Sequence, residues 1–180
     1  MGRIMDHIDE ATRNWIERQL MFFVATAPKS GGHVNVSPKG FDSLRILNDT
    51  EIAYLDLTGS GAETIAHIRE NGRITVMWNA FEGPARILRV YGEGHVHLPE
   101  STRFDELVGV FDDERRGIRS VITVDVERVQ NSCGFGVPKM EFVESRKDLD
   151  TWVRKRSDKE IAQYWVERNA SSIDGLPAID

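Results

Sequence analysis

Apolar and polar positions along this chain fall in short runs that read mostly as strands. Asp6 to Gln19 is the exception at the start. Ile8, Ala11, Trp15 and Ile16 recur on one face, with Asp9, Arg13 and Glu17 mostly elsewhere, which predicts an amphipathic helix packed over a sheet. Leu20 to Ala27 is nearly continuous in apolar residues and stops at Pro28, the pattern of a strand buried on both faces, or on one face plus a subunit contact. The turn Lys29-Ser30-Gly31-Gly32 sends the chain back through a strand from His33 to Gly40. That strand must end, bulge or lie at an edge at Pro38, because proline has no N–H for a ladder. Ser43 to Leu47 and Glu51 to Leu57 form a further strand pair joined by Asn48-Asp49-Thr50.

The stretch from Tyr54 to Trp78 reads as strand, tight polar turn, short helix, glycine stop and strand. Ser60-Gly61-Ala62-Glu63 matches a capping box, with a hydroxyl at the N-cap and a carboxylate three residues on. The helix begins at about Gly61 and stops at Asn71-Gly72, a common left-handed ending. Such a corner presents unpaired backbone N–H groups where the helix dipole favours an anion, so it can seat a phosphate; it can equally be an ordinary capped helix joining two strands. Arg73 to Phe81 is a strand rich in β-formers. After Glu82-Gly83-Pro84, Ala85 to Leu98 is a long strand interrupted by Gly92 and Gly94, which predicts the bulge or sharp bend a small barrel needs to close.

Ser101 to Phe111 is a short helix, Gly117 to Gln130 contains an alternating strand, and Asn131 to Pro138 is a Gly/Pro loop leading to Met140-Glu141-Phe142-Val143. The tail is polar and helical, with a second capping box at Ser157-Asp158-Lys159-Glu160 and with Ile161, Tyr164 and Trp165 on one face. Six or more strands with few helices predict a mainly β (α+β) fold, a small barrel decorated by peripheral helices. The expected organisation is a single domain over residues 1–145, N-terminal helix included, with residues 146–180 as its helical extension.

At 180 residues, with 40% hydrophobic and 29% charged, the chain can bury a real core and is not a disordered segment. Its net charge of −6 argues against duplex nucleic acid and anionic membranes as partners, while leaving room for a local basic pocket. The single cysteine, Cys133, rules out an intramolecular disulfide framework, and the N-terminus shows no apolar signal core. A cytoplasmic location is expected. No metal is expected either. His95 and His97 point to one side of their strand with Glu93, yet no third ligand has persuasive spacing, so they read as a polar stripe. Cys133 reads as a packed thiol in a glycine loop, and Gly59-Ser60-Gly61 is not a G-x-S-x-G nucleophile elbow. Trp78, Trp152 and Trp165 read as core or interface aromatics, and Arg86 and Arg89 face opposite sides of their strand. No residue is an obvious general base.

Five segments in order, VNVSPKG, AYLDLTGSGAETIAHIRENGRITVMW, FEGPARILRVYGEG, NSCGFGVPKMEF and SIDGLPAID, resemble the pyridoxamine 5′-phosphate oxidase-related family of FMN-binding split barrels. The similarity covers about residues 15 to 145 and, less specifically, the tail. It implies a homodimer of split β-barrels with two FMN sites at the subunit interface. By position, Val36, Ser37 and Lys39 resemble the strand whose backbone and lysine line the flavin. Leu55 and Asp56 fall where a second strand approaches the cofactor, Ser60, Gly61 and Ala62 fall at the phosphate turn, and Arg86 matches an arginine that begins the next flavin-proximal strand. The sequence departs from the true oxidases in three places. Gly61-Ala62-Glu63 replaces the basic residues after the serine, Ile87 stands for a glutamine, and the C-terminal Trp and Arg substrate motif has no match. The implied function is therefore an FMN-dependent oxidoreductase acting on a small molecule other than pyridoxamine phosphate. The alternative is a non-catalytic module that holds flavin or heme for storage or sensing.

Overall fold

The computed structural model describes residues 3–111 and 115–179. The chain begins with β1 (Ile4–Met5) and α1 (Glu10–Ile16), then lays down β2 (Phe22–Thr26), β3 (Asn35–Lys39), β4 (Leu44–Asn48) and β5 (Glu51–Leu57). It continues through α2 (Glu63–Asn71), β6 (Arg73–Asn79), β7 (Ile87–His97), α3 (Thr102–Val108), β8 (Ile118–Ser132), α4 (Asp148–Arg154) and α5 (Asp158–Arg168). The strands make one antiparallel sheet in the order β3-β2-β6-β7-β8-β5-β4, with β1 paired to β8. β3 and β4 end that order, so the sheet curls into an open barrel with peripheral helices.

Two long strands supply the curl. β8 pairs with β7 from Val121 to Ser132 and with β5 from Ile118 to Asp125, so it runs past both neighbours. The β7–β8 register shifts between Tyr91 and Gly92, where a Cβ on Gly92 would run into the carbonyl oxygen of Asp125. Only glycine lets the two backbones cross so closely, which is the bend expected from the sequence. Pro38 also sits where its missing N–H demands, because β3 pairs with β2 alone and leaves its outer edge open.

The core fills the barrel. Phe22, Val24, Ile52, Tyr54, Trp78, Leu88, Ile122 and Val124 are buried there, closed at one end by Ile65 and Ala66 of α2. A smaller cluster of Ala53, Leu55, Leu107, Phe111 and Val121 lies on the other face of β5 and β8, under α3. With both faces covered, β5 is buried without a break from Ile52 to Asp56.

The N-terminal helix is shorter than the expected Asp6 to Gln19. Asp9 caps it by accepting from the Thr12 N–H at 2.8 Å, and the chain ahead of it has left to pair with β8. Ala11, expected on the apolar face, is exposed, whereas Thr12 and Ile16 are buried. Ser157 forms its capping box with Glu160 as expected. Ser60 does not, as described below. Among the described residues no helix is long and apolar enough to cross a membrane.

Candidate functional site

The turn between β5 and α2 is fixed from three directions. Thr58 donates from both its N–H and its hydroxyl to the Gly117 carbonyl, at 3.0 and 2.7 Å, and accepts from the Trp165 indole N–H at 2.9 Å. The Asn169 amide donates to the Gly59 carbonyl at 3.1 Å, and Arg119 donates to the Gly61 carbonyl at 2.8 Å. These contacts correct the expected capping box. The N-cap is Ala62, at φ −127° and ψ 18°, and no side chain among the described residues caps the helix. Glu63 turns instead to the tail, where it accepts from the Ile173 N–H at 3.3 Å, and its carboxylate lies against Gly61. The turn carbonyls are thus tied down, while the N–H groups of Ser60, Gly61 and Ala62 make no hydrogen bond among the described residues. That is the polarity an anion requires at a helix N-terminus.

Beneath the turn lies a buried charge cluster. Asp56, from the end of β5, is 1% exposed and accepts from Arg119 Nε at 2.9 Å and from the Ser120 hydroxyl at 3.2 Å. Lys39, from the end of β3, places its ammonium 3.6 Å from the other carboxylate oxygen. Burial pushes the Asp56 carboxyl up, but the charges of Arg119 and Lys39 and the two hydrogen bonds outweigh it and hold the carboxyl below its ordinary range. Burial, and then the Asp56 charge, push the Tyr54 phenol well up. Arg119 touches the turn and the carboxylate at once, and so links them.

Along β3, alternate residues do different work. Ser37 donates to Asn35 at 3.2 Å, and Asn35 donates to Thr64 of α2 at 3.0 Å, which continues a polar line from the helix towards Lys39. Thr26 and the buried His67 extend it, hydroxyl to Nδ1 at 3.0 Å. Val36 points to the opposite side and is 60% exposed.

Of the residues expected at the site, Lys39, Asp56 and Gly61 are joined through Arg119, with Ser37 on the Lys39 side of its strand. Ala62 is buried at the helix start, and Ser60 is exposed beside it. Leu55 faces the smaller core under α3. Arg86 makes its contacts elsewhere. Its guanidinium lies 4.4 Å from the centre of the Trp15 ring, and its Nε donates to Asn131 at 2.6 Å. Trp15, Arg18, Pro84, Ala85, Arg86 and Asn131 line a cleft of about 460 Å³ there.

Arg119 escaped the sequence reading. Its signal was an arginine set into a mostly apolar strand, Ile118-Arg119-Ser120-Val121-Ile122, where a buried charge needs a partner. The remaining candidates stay structural. His95 pairs with Asp125 at 3.0 Å and His97 with Thr123 at 3.0 Å, and among the described residues no three His, Cys, Asp or Glu side chains could share a metal. Cys133, expected to be packed, is exposed. Trp78 is in the core, and Trp152 packs edge-on to Tyr164.

Comparison with known proteins places this geometry in context. The family model for pyridoxamine 5′-phosphate oxidase matches residues 8–133. The pyridoxamine 5′-phosphate oxidase family protein ustO of Aspergillus flavus is 37% identical over 192 residues, taking in 97% of this chain and 76% of that protein. Among solved structures, HupZ of Group A Streptococcus superposes with a TM-score of 0.57 at 24% identity, over 70% of this chain and 94% of its own. An FMN-binding protein from Syntrophomonas wolfei superposes with a TM-score of 0.50 at 15% identity, over 74% of this chain and 84% of its own. Both likenesses are of fold.

Proposed function

The chain belongs to the pyridoxamine 5′-phosphate oxidase family, and from that premise we propose that it is an FMN-dependent oxidoreductase of the cytoplasm, acting on a small molecule other than pyridoxamine phosphate. The observation that carries the reading is the set of donors around the turn. Lys39 and Arg119 bring two cations against the one carboxylate of Asp56, beneath the free amides of Ser60, Gly61 and Ala62. This set fits a phosphate monoester. Glu63 works against it: one carboxylate oxygen accepts from the Ile173 N–H, while the other lies against Gly61 and would have to turn aside for the phosphate.

In this reading Ser60, Gly61 and Ala62 hold the phosphate through backbone N–H groups, and Lys39 balances its charge. Asp56 keeps Lys39 and Arg119 in place. The open edge of β3 at Val36 and Ser37 lines the ring system, while Leu55 anchors β5 from the core under α3 and so holds Asp56 in position. Bound flavin would supply hydride acceptance. The chain's own residues orient it and shield it from water. Leu20, Val34 and Val36 are exposed at 61%, 73% and 60% around that open edge, which supports a second copy of the chain covering it in a homodimer, with FMN between the two. Residues 1–145 would form the flavin domain and residues 146–180 the extension that braces its turn.

The absorbance spectrum of the purified protein tests the reading. Flavin bands, or uptake of added FMN, are expected; a colourless protein that takes up no FMN refutes it, and a heme Soret band would favour the holding module. Ser60→Asp adds a negative charge beside the amides without touching the core. It should weaken FMN binding about tenfold, a loss of about 1.4 kcal/mol, with the fold intact by circular dichroism. Unchanged affinity would move the phosphate away from this turn.

A further inference from the structure

We propose that the cleft between α1 and the turn joining β6 to β7 is a binding site for a planar aromatic carboxylate, separate from the Lys39–Asp56–Arg119 cluster. At about 460 Å³ it has the size of a small-molecule site. Its walls are the Trp15 ring, Pro84 and Ala85, and its charged groups are Arg18 and Arg86. A flat ring can lie against the apolar walls while a carboxylate meets the guanidinium groups.

The arginines are suited to that task. Arg86 is pre-set, stacked over Trp15 at 4.4 Å and tethered through Nε to Asn131 at 2.6 Å, with a weaker contact from Nη2 to Thr12 at 3.5 Å. Its Nη1 makes no hydrogen bond among the described residues, and the Arg18 guanidinium has no hydrogen-bond or ion-pair partner among them. Burial and then the Arg18 charge, against the pull of Asp9, leave Arg86 less comfortable as a cation than in water, which an incoming carboxylate would relieve. Among the described residues no acidic side chain lines the cleft. The nearby carboxylate, Asp9, is already committed to Arg3 at 3.0 Å and to the Thr12 N–H at 2.8 Å. In a chain of net charge −6, two arginines converging on an apolar cleft without an acid of their own form a local exception. Arginine is the side chain whose planar fork matches a carboxylate and also stacks on aromatic faces.

The inference goes beyond the proposed function by assigning a second ligand site, and its binding does not depend on the flavin reading. Isothermal titration calorimetry on the purified full chain, with benzoate as probe and benzamide as its neutral counterpart, separates the two. Benzoate should bind saturably, one per chain, and more weakly as salt is raised, with benzamide at least tenfold weaker. Arg18→Gln, at an exposed position outside the core, should lower benzoate affinity about tenfold, leave benzamide unchanged and leave FMN uptake intact. The proposal is overturned if benzoate shows no saturable binding at millimolar concentration, if benzamide binds as well, or if the variant binds benzoate as the wild type does. Stoichiometric displacement of benzoate by FMN would give the cleft to the flavin and also overturn it. A protein that takes up benzoate but no FMN would instead refute the flavin reading and leave this site standing.

Discussion

Asp56→Asn tests the centre of the candidate site through stability alone. The carboxylate is 1% exposed and faces Arg119, itself 4% exposed, at 2.9 Å, with the Ser120 hydroxyl at 3.2 Å and the Lys39 ammonium at 3.6 Å. Asparagine keeps the shape and an acceptor but removes the charge. The amide oxygen can still accept from the Arg119 guanidinium, so that bond is weakened and not lost. The variant also leaves a buried guanidinium with no counter-charge, and breaking such a pair costs about 3–5 kcal/mol in all. Lys39 is 20% exposed and can turn towards water, so the low end applies, about 3 kcal/mol. That is within a typical total stability of about 5–15 kcal/mol, so the variant should fold.

In urea, with a slope of about 2 kcal/mol per molar, the midpoint should fall by roughly 1.5 M. Replacing both partners, as Asp56→Leu with Arg119→Met, should recover much of the loss, because neither buried charge then has to be desolvated. The acid side gives an independent check. The Asp56 carboxyl is held below its ordinary range in the folded state. Its contribution is therefore present above about pH 4 and is lost as pH falls through the folded value. Asp56→Asn should lack that part of the acid dependence. A midpoint shift below roughly 0.3 M, or an unchanged acid limb in the variant, would refute the argument.

Three further outcomes are expected. Gly92→Val places a side chain against the Asp125 carbonyl oxygen at the β7–β8 crossing; it should cost about 3 kcal/mol, and thermal denaturation will show it. Trp165→Phe removes the donor to Thr58 at 2.9 Å and should cost about 1 kcal/mol, with faster hydrogen exchange at the Ile173 amide and easier proteolysis of the tail. Of the three tyrosines, Tyr54 should stay protonated on raising the pH until the protein unfolds, because burial and then the Asp56 charge push its phenol up. The sign follows from a raised folded pKa: the stability is present below about pH 10 and lost above it, and near-ultraviolet titration would detect one late phenol.

Much of the scaffold was legible because it rests on short-range chemistry. The missing N–H of Pro38 confined β3 to an edge, Gly92 marked the bend, Gly72 ended α2 in the left-handed region, and Ser157 with Glu160 started α5. Each of those signals acts within a few residues, or through a backbone that only one residue type permits. Of the candidate site, local pattern located only the turn at Gly61 and the lysine at the end of β3, whereas Asp56 was named through the family resemblance.

Tertiary structure alone decided what those residues touch. Arg119 is 63 positions from Asp56 and reaches it because β5 and β8 pair Asp56 with Ser120 and the register then shifts, leaving Arg119 as the extra residue of a bulge that brings it to the same carboxylate as Ser120. Ser60 and Glu63 had the local spacing of a cap, yet the box failed. Arg119 and Asn169 held the turn carbonyls, and Ile173, 110 positions away, offered Glu63 a backbone donor. A local motif saves only about 1 kcal/mol, and several long-range hydrogen bonds together outweigh it. The sequence by itself determined the main strands from β2 to β8, where they bend and which turn could expose its amides, but not the short β1. Which charges gather beneath that turn, and what the tail ties down above it, depended on register and on contacts between residues far apart in the chain.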